Sequence, residues 1–328
     1  MRIGKNAKAL AYFGVILILV LVVLYSGLRI LESTVLYSAP VEADTYQSRT
    51  ITRNGVDYYP RQDITTVMVL GIDQKGPVQP SEGYVNPGAA DFVILLVLDE
   101  HNQTCDILQL NRDTMLKMPV LGIGGKKAGT YFGQLALSHT YGKGVEDSCE
   151  NTRDTVSDFL YGITIDHYVA LNMDAIVILN DSVGGVTVDV TEDFSQVDAS
   201  LGYGEVTLMG QQALSYVRSR QGLGDQLNVS RMERHRKYMD GFIEAFQAKR
   251  EESMGFFAEV YETIQPYTVT DCTVNTITGM IDRYADYSVD RLVTPEGENV
   301  MGEEFFEFYA DAQKLDELIL EMFFAPKA

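Results

Sequence analysis

Positive charge is what this chain is short of: Lys and Arg number 26 against 46 Asp and Glu, for a formal net charge of −20. Nucleic-acid binding depends on neutralising phosphates, so no nucleic-acid partner is expected. Cysteine is scarce too, and the three present (Cys105, Cys149 and Cys272) cannot all pair within one chain. Cys105 alternates into an apolar stretch and is expected in a core. Cys149 and Cys272 could pair outside the cell, although nothing in their spacing calls for it. The usual catalytic signatures are missing: there is no GxSxG, Walker A, HExxH, CxxC or well-formed GxGxxG. No covalent nucleophile announces itself. His139 and His167 have no spaced partner, and structural roles are expected for both. No repeat period appears and no linker composition follows residue 61, which favours a single exported domain.

Against this acidic background, Arg218, Arg220, Arg231, Arg234 and Arg236 fall within residues 217–237. A guanidinium is always charged and presents a planar fork of donors, so such a cluster suits phosphate or carboxylate better than lysines would. Ser230-Arg231-Met232-Glu233 reads as a capping box opening a helix, with Arg231 in its first turn. Met232, Met239, Phe242, Ile243 and Phe246 then recur as a core face, while Arg231, Arg234, His235 and Tyr238 share another. A basic face starting at a helix N-terminus, where free amides and the dipole add positive potential, is a natural anion site. The plainer alternative is a solvated basic stripe paired with Asp225, Glu233 and Asp240.

At the N-terminus a basic tip (Arg2, Lys5, Lys8) precedes residues 9–28, which carry no charge. At about 1.5 Å per residue this run covers the roughly 30 Å core of a bilayer. It is too long for the apolar part of a cleaved signal, and Pro40 spoils the nearest small-residue cleavage site. Basic residues before it and Glu32, Glu42 and Asp44 after it place the N-terminus in the cytoplasm and the bulk outside. The expected organisation is a cytoplasmic tip at 1–8, a transmembrane anchor at 9–31, an extracellular stalk at 32–61 and a catalytic domain at 62–328.

Three apolar runs (65–70, 92–98 and 105–110) end in or begin from polar residues: Gly71-Ile72-Asp73, Asp91, and Asn111-Arg112-Asp113-Thr114. They read as buried strands. Helices are expected at 152–160, 173–183 (stopped by Gly184-Gly185), 210–220, 256–264, 276–284 and 312–324, with strands at 165–171 and 186–190. Strands alternating with helices predict an α/β fold whose sheet is covered on both faces, with ligands near strand ends. Asp73 and Asp91 at strand margins could hold Mg²⁺ together with substrate phosphate oxygens. With an arginine cluster in the same chain, phosphoryl transfer is the leading chemistry, because it rests on positioning and charge neutralisation more than on a nucleophile.

In this order and spacing, Leu70-Gly71-Ile72-Asp73, Ala90-Asp91-Phe92, Leu110-Asn111-Arg112-Asp113-Thr114 and residues 162–168 (GITIDHY) resemble the LytR-CpsA-Psr family of membrane-anchored cell-wall glycopolymer ligases. Residues 183–186 (VGGV), 208–214 (LMGQQAL), 216–220 (YVRSR) and 231–234 (RMER) continue the resemblance, which covers nearly everything after the anchor. It implies a three-layer α/β/α sandwich with a mixed central sheet. It also implies an enzyme that takes a polyprenyl-pyrophosphate-linked glycan and transfers its glycosyl phosphate to a peptidoglycan hydroxyl. By position, Asp73 and Asp91 would be magnesium or charge-balancing acids, and Arg112, Arg218, Arg220 and Arg231 would grip the pyrophosphate. Asp113 would orient Arg112 or act on the acceptor. The chain departs from the family pattern at Ala89 (usually Arg), His235 (usually Gln) and Asn228 (often an acid); His235, Arg234 and Asn228 are counted with the substrate-binding set. The competing readings are a non-catalytic wall-binding or signalling module and a metal-dependent pyrophosphatase using the same pocket.

Overall fold

The computed structural model describes residues 50–327 apart from 221–222, 224–226, 253–255 and 285–286. The expected anchor and cytoplasmic tip lie outside the described residues. Among the described residues, no helix is long and apolar enough to cross a membrane.

The centre is a six-stranded mixed sheet in the order β11-β8-β3-β4-β5-β12. Its middle strands are β3 (Ile64–Ile72), β4 (Ala90–Asp99) and β5 (Thr104–Leu110), flanked by β8 (His167–Asn172), β11 (Thr268–Thr270) and β12 (Ser288–Val293). β3 runs antiparallel to β4, and β4 to β5, while β3–β8 and β5–β12 are parallel. The middle strands are near-continuous apolar runs because both faces are covered. Along β3, Val67 and Val69 face one core and Met68, Leu70 and Ile72 the other.

The first face is packed by α2 (Met173–Ser182), α3 (Gln211–Arg218), α4 (Asn228–Glu252), α5 (Phe256–Ile264), α6 (Val274–Tyr284) and the hairpin of β9 (Val186–Val190) with β10 (Gly204–Leu208). The second is packed by α1 (Glu146–Phe159) and α7 (Ala312–Phe323). These layers match the expected sheet covered on both faces. Gly241 lets α4 close on β9: a Cβ there would stand 2.3 Å from the Thr187 carbonyl oxygen. After α2, Gly184 and Gly185 take φ of 86° and 93°, values that favour glycine, so the expected helix stop is met.

Three local readings are corrected. α4 begins at Asn228, so Ser230 lies inside the helix rather than at its cap. α1 starts at Glu146, ahead of the expected 152. The expected stalk ends early: β1 (Ile51–Arg53) and β2 (Val56–Pro60) form a hairpin, and β15 (Phe324–Pro326) pairs with β2, fastening residues 51–60 to the domain. Two further hairpins flank the sheet, β6 (Met115–Leu121) with β7 (Lys127–Gln134) and β13 (Gly297–Met301) with β14 (Phe306–Ala310).

Candidate active site

Strand direction gathers the acidic and basic residues. β3 runs toward the edge at which β4 starts and β5 ends, so Asp73 after β3, Asp91 at the start of β4 and Arg112-Asp113 after β5 emerge side by side. α3 ends at Arg218, and Ser219 is extended (φ −68°, ψ 139°). Two arginines two residues apart on a helix would diverge. Here the chain straightens after Arg218, so Arg220 is free to turn toward the sheet. Arg231 arrives from the first turn of α4.

The side chains form one linked network around Asp91 and Asp113, with the Asp73–Arg218 pair beside it. Asp91 accepts from Arg112 through Oδ1 and from Arg231 through Oδ2, the latter at 3.0 Å. Asp113, fully buried, accepts from Arg112 Nε at 3.2 Å and Gln134 Nε2 at 3.0 Å on one oxygen, and from Arg220 Nη1 at 3.0 Å on the other. Arg218 Nη2 sits 3.2 Å from both oxygens of Asp73. Arg231 Nη2 also donates to Asn228 Oδ1 at 2.5 Å, and Asn228 Nδ2 donates to Asn111 Oδ1 at 2.8 Å. Four guanidiniums against three carboxylates leave one net positive charge at this edge. In a protein of net charge −20, that is a local reversal of sign.

Arg231 is 2 % exposed, and its pKa is lowered to about 10. Burial is the main cause; Asp91 pulls the other way, and the nearby charges of Arg112 and Arg220 add to the depression. Arg231 is thus close enough to Arg112 and Arg220 for their charges to disfavour its own, a cost that a nearby anion would offset. Arg218 is half exposed and the most accessible of the four.

Beside this array opens an apolar cavity lined by Val69, Gly71, Phe92, Ile94, Leu171, Ile176, Val217, His235, Tyr238, Met239 and Phe242 among others. Phe92 adjoins Asp91 in sequence, and Val217 adjoins Arg218. One end of the site is charged and the other apolar.

The structure brings Asp73, Asp91, Arg112, Asp113, Arg218, Arg220, Asn228 and Arg231 together. Of the expected substrate contacts, Arg234 sits elsewhere, and His235 lies in the apolar cavity wall rather than in the charged cluster. Arg234 is buried and occupied within the protein: Nε donates to the Tyr216 carbonyl at 3.0 Å, Nη1 to Glu192 at 2.6 Å and Nη2 to the Ser219 carbonyl. It fastens the C-terminal end of α3 rather than facing an anion. His235 lies in the cavity wall, edge-on to Phe92, and its Nε2–H donates to the Val217 carbonyl at 2.8 Å. Burial, then the charge of Arg231, lowers its pKa to about 3, so it is a neutral ring. The solvated basic stripe is not observed for Arg231 and Arg234, both of which are buried. Asp113 is too enclosed to reach an acceptor and orients Arg112 and Arg220. Asn228 holds Arg231 while donating to Asn111, a pairing in which an acid would lack the proton.

His139 is structural as expected: it is buried, Nδ1 bonds the Gly88 carbonyl at 2.7 Å, and burial lowers its pKa to about 4. Cys149 and Cys272 are free thiols rather than a pair, and Cys105 is buried in the core. Gln134 was missed. It comes from β7 and bridges Asp113 to the Phe306 carbonyl at 2.8 Å, and no local pattern marks it.

Fold and site define the class: an α/β domain with an arginine-rich cluster at one sheet edge, opening onto an apolar cavity. The chain belongs to the LytR_cpsA_psr family, whose sequence model matches residues 32–322. It is 28% identical over 227 residues to the polyisoprenyl-teichoic acid–peptidoglycan teichoic acid transferase TagU of Bacillus subtilis, covering 69% of this chain and 65% of that relative. To the protein of the same name in Enterococcus faecalis it is 30% identical over 243 residues, covering 74% and 71%. Among solved structures, TagT bound to LI-WTA superimposes with a TM-score of 0.58 at 21% identity, over 80% of this chain and 90% of that one, a likeness that carries the fold alone.

Proposed function

We propose that the domain is a membrane-anchored phosphotransferase, its bulk outside the cell, that moves a glycosyl phosphate from a polyprenyl-pyrophosphate-linked glycopolymer to a peptidoglycan hydroxyl. The names of the TagU relatives favour a teichoic-acid-type polymer. The observation that carries the reading is the join between the guanidinium array and the apolar cavity, which suits a ligand with an anionic head and a long hydrocarbon tail. Arg112, Arg220 and Arg231 hold the pyrophosphate and spread its charge, while Arg218 covers the open side. The acceptor hydroxyl oxygen attacks the phosphorus bonded to the sugar. The bond from that phosphorus to the bridging oxygen breaks, and polyprenyl phosphate leaves with the electron pair. Asp73, with a side chain 33% exposed and paired with the outermost arginine, takes the hydroxyl proton or ligates a cation. Asp91, with both oxygens on guanidiniums, is a charge-balancing acid.

Of the two expected metal acids, Asp91 has both oxygens taken by Arg112 and Arg231, so Mg²⁺ would be held by Asp73 together with phosphate oxygens and would neutralise charge on the transferring phosphate. Ala89 in place of the usual Arg removes one phosphate contact, which leaves more of the grip to Arg218. The test is mass spectrometry of lipid co-purifying with the protein, followed by transfer from a synthetic polyprenyl-pyrophosphate saccharide to peptidoglycan with and without chelator. Polyprenyl phosphate or pyrophosphate in the protein and a phosphodiester-linked product support the reading. Release of free glycosyl phosphate instead would assign a pyrophosphatase, and neither lipid nor product would leave a binding module.

A further inference from the structure

At the opposite edge of the sheet, β8 opens at His167, and β11 runs antiparallel to it in the register Thr270↔Val169. Continuing that register past β11 sets Asp271 and Cys272 beside Tyr168 and His167. The pairing of Val67 with His167 and of Ile72 with Asn172 puts this point five residues along β3 from the active-site edge, about 17 Å at 3.3 Å per residue. The catalytic array does not use it.

One imidazole nitrogen, one thiol sulfur and one carboxylate oxygen meet here, all within 4.8 Å of one another. His167 Nδ1 is buried without a hydrogen-bond partner among the described residues. Asp271 Oδ1 stands 3.7 Å from it, within ion-pair reach but too long for a hydrogen bond. Cys272 Sγ is likewise 3.7 Å from Asp271 Oδ1. Without a metal the thiol donates to Asp271 and His167 lies at ion-pair distance from it, and both separations are also those of ligands that share a cation. With Zn–S about 2.3 Å, Zn–N about 2.05 Å and Zn–O about 2.1 Å, a tetrahedral ion requires N···O of about 3.4 Å and S···O of about 3.6 Å. The observed edges are within a few tenths of those values.

The surroundings hold the donors in place. The Tyr168 amide donates to Asp271 Oδ1 at 2.9 Å, and Thr270 Oγ1 donates to the Tyr168 carbonyl at 2.7 Å while accepting from the Cys272 amide at 3.1 Å. Such outer contacts fix ligand orientation before a metal arrives. Glu150 on α1 is near enough to feel the charge of Asp271, which adds to the negative potential around the trio.

We infer that His167, Asp271 and Cys272 form a binding site for a divalent borderline cation of the Zn²⁺ type, with three protein ligands and a fourth position left to water. A mixed nitrogen, sulfur and oxygen set favours Zn²⁺ over Mg²⁺ or Ca²⁺, which take oxygen ligands. The site ties the start of β8 to the segment that follows the edge strand β11.

The test uses the full chain in detergent, without a polyhistidine tag, stripped with chelator and titrated with Co²⁺. One equivalent should give a sulfur-to-cobalt charge-transfer band and intense tetrahedral visible absorption, both bleached by Zn²⁺, and Zn²⁺ should raise the melting temperature. Cys272→Ser should lose the charge-transfer band. His167→Gln should weaken binding by more than the roughly 10–100-fold typical of losing an outer-sphere partner. If Cys272→Ser fails to fold, Asp271→Asn is to show the same weakening with the band retained. Absence of the band, its survival in a folded Cys272→Ser protein, or unchanged affinity in His167→Gln overturns the site.

Discussion

Arg220 reaches 107 residues back along the chain to place Nη1 3.0 Å from Oδ2 of Asp113, whose other oxygen holds Arg112 and Gln134. The carboxylate is buried while both arginines keep an open side. Asp113 is thus an internal clamp that fixes two guanidiniums facing the same gap. Replacing it with Asn keeps the volume but removes the charge and turns donors toward donors. Because the arginines are partly solvated, the expected loss is toward the low end of the 3–5 kcal/mol range for broken buried pairs, about 3 kcal/mol. Urea unfolding of Asp113→Asn measures it, and transfer should fall with it; full stability would refute the clamp.

Arg231 and Arg218 should respond differently to Lys. Arg231 divides its fork among Asp91, the Asp91 carbonyl and Asn228, contacts that a single ammonium cannot reproduce. Arg231→Lys is expected to weaken donor binding about a hundredfold, and Arg218→Lys by no more than about tenfold. Equal effects in a lipid-binding titration would contradict this division.

His235 and His139 stay neutral in the folded protein, with pKa values lowered to about 3 and about 4 from an ordinary 6.5. Between those values and 6.5 the unfolded chain binds protons that the folded one does not, so stability is lost as pH falls through that window. His235→Gln can still donate to the Val217 carbonyl but does not titrate. Its stability curve should be flatter between about pH 3.5 and 6 by up to about 1.4 kcal/mol per pH unit. Denaturant midpoints across that range decide it, and an unchanged slope would mean that His235 charges in the fold.

Met239 lines the cavity from α4, two helical turns beyond Arg231. Met239→Trp should fill the space and sharply reduce co-purifying polyprenyl lipid. Binding of a pyrophosphate donor with a short, soluble tail should be little changed. Loss of both would place the anion site and the cavity in one inseparable unit.

A reporter fused after Ala328 should be active only outside the cytoplasm, given the uncharged run at 9–28 and its basic leading flank. Cytoplasmic activity would overturn the proposed topology.

Much of the core was legible because the central strands are short apolar runs bounded by Gly, Asp and Asn, and because α5 and α7 carry strong helical periodicity. The β6–β7 hairpin escaped: six of the eight β7 residues are exposed, so no buried alternation marks it. The β1–β2 hairpin escaped for another reason. Part of its order comes from β15, more than 260 residues away in the chain, and a local reading registers only a polar segment. Ser230 was misread as a cap because its motif is sound chemistry, but the helix had already begun two residues earlier.

The sequence by itself determined the kind of chemistry: arginines concentrated within a chain of net charge −20, acids at strand margins and a family pattern spread along the domain. Residue type and spacing suffice for that, since guanidinium charge and strand burial are local properties. Which arginine meets which acid was decided by the tertiary structure. Arg231 and Arg234 are three residues apart on one helix, yet one turns to Asp91 in the site and the other to Glu192 and the end of α3. That choice follows from the antiparallel run of β3, β4 and β5, which brings distant acids to one edge, and from the packing of α4 against α3, whose end offers Arg234 the Tyr216 and Ser219 carbonyls.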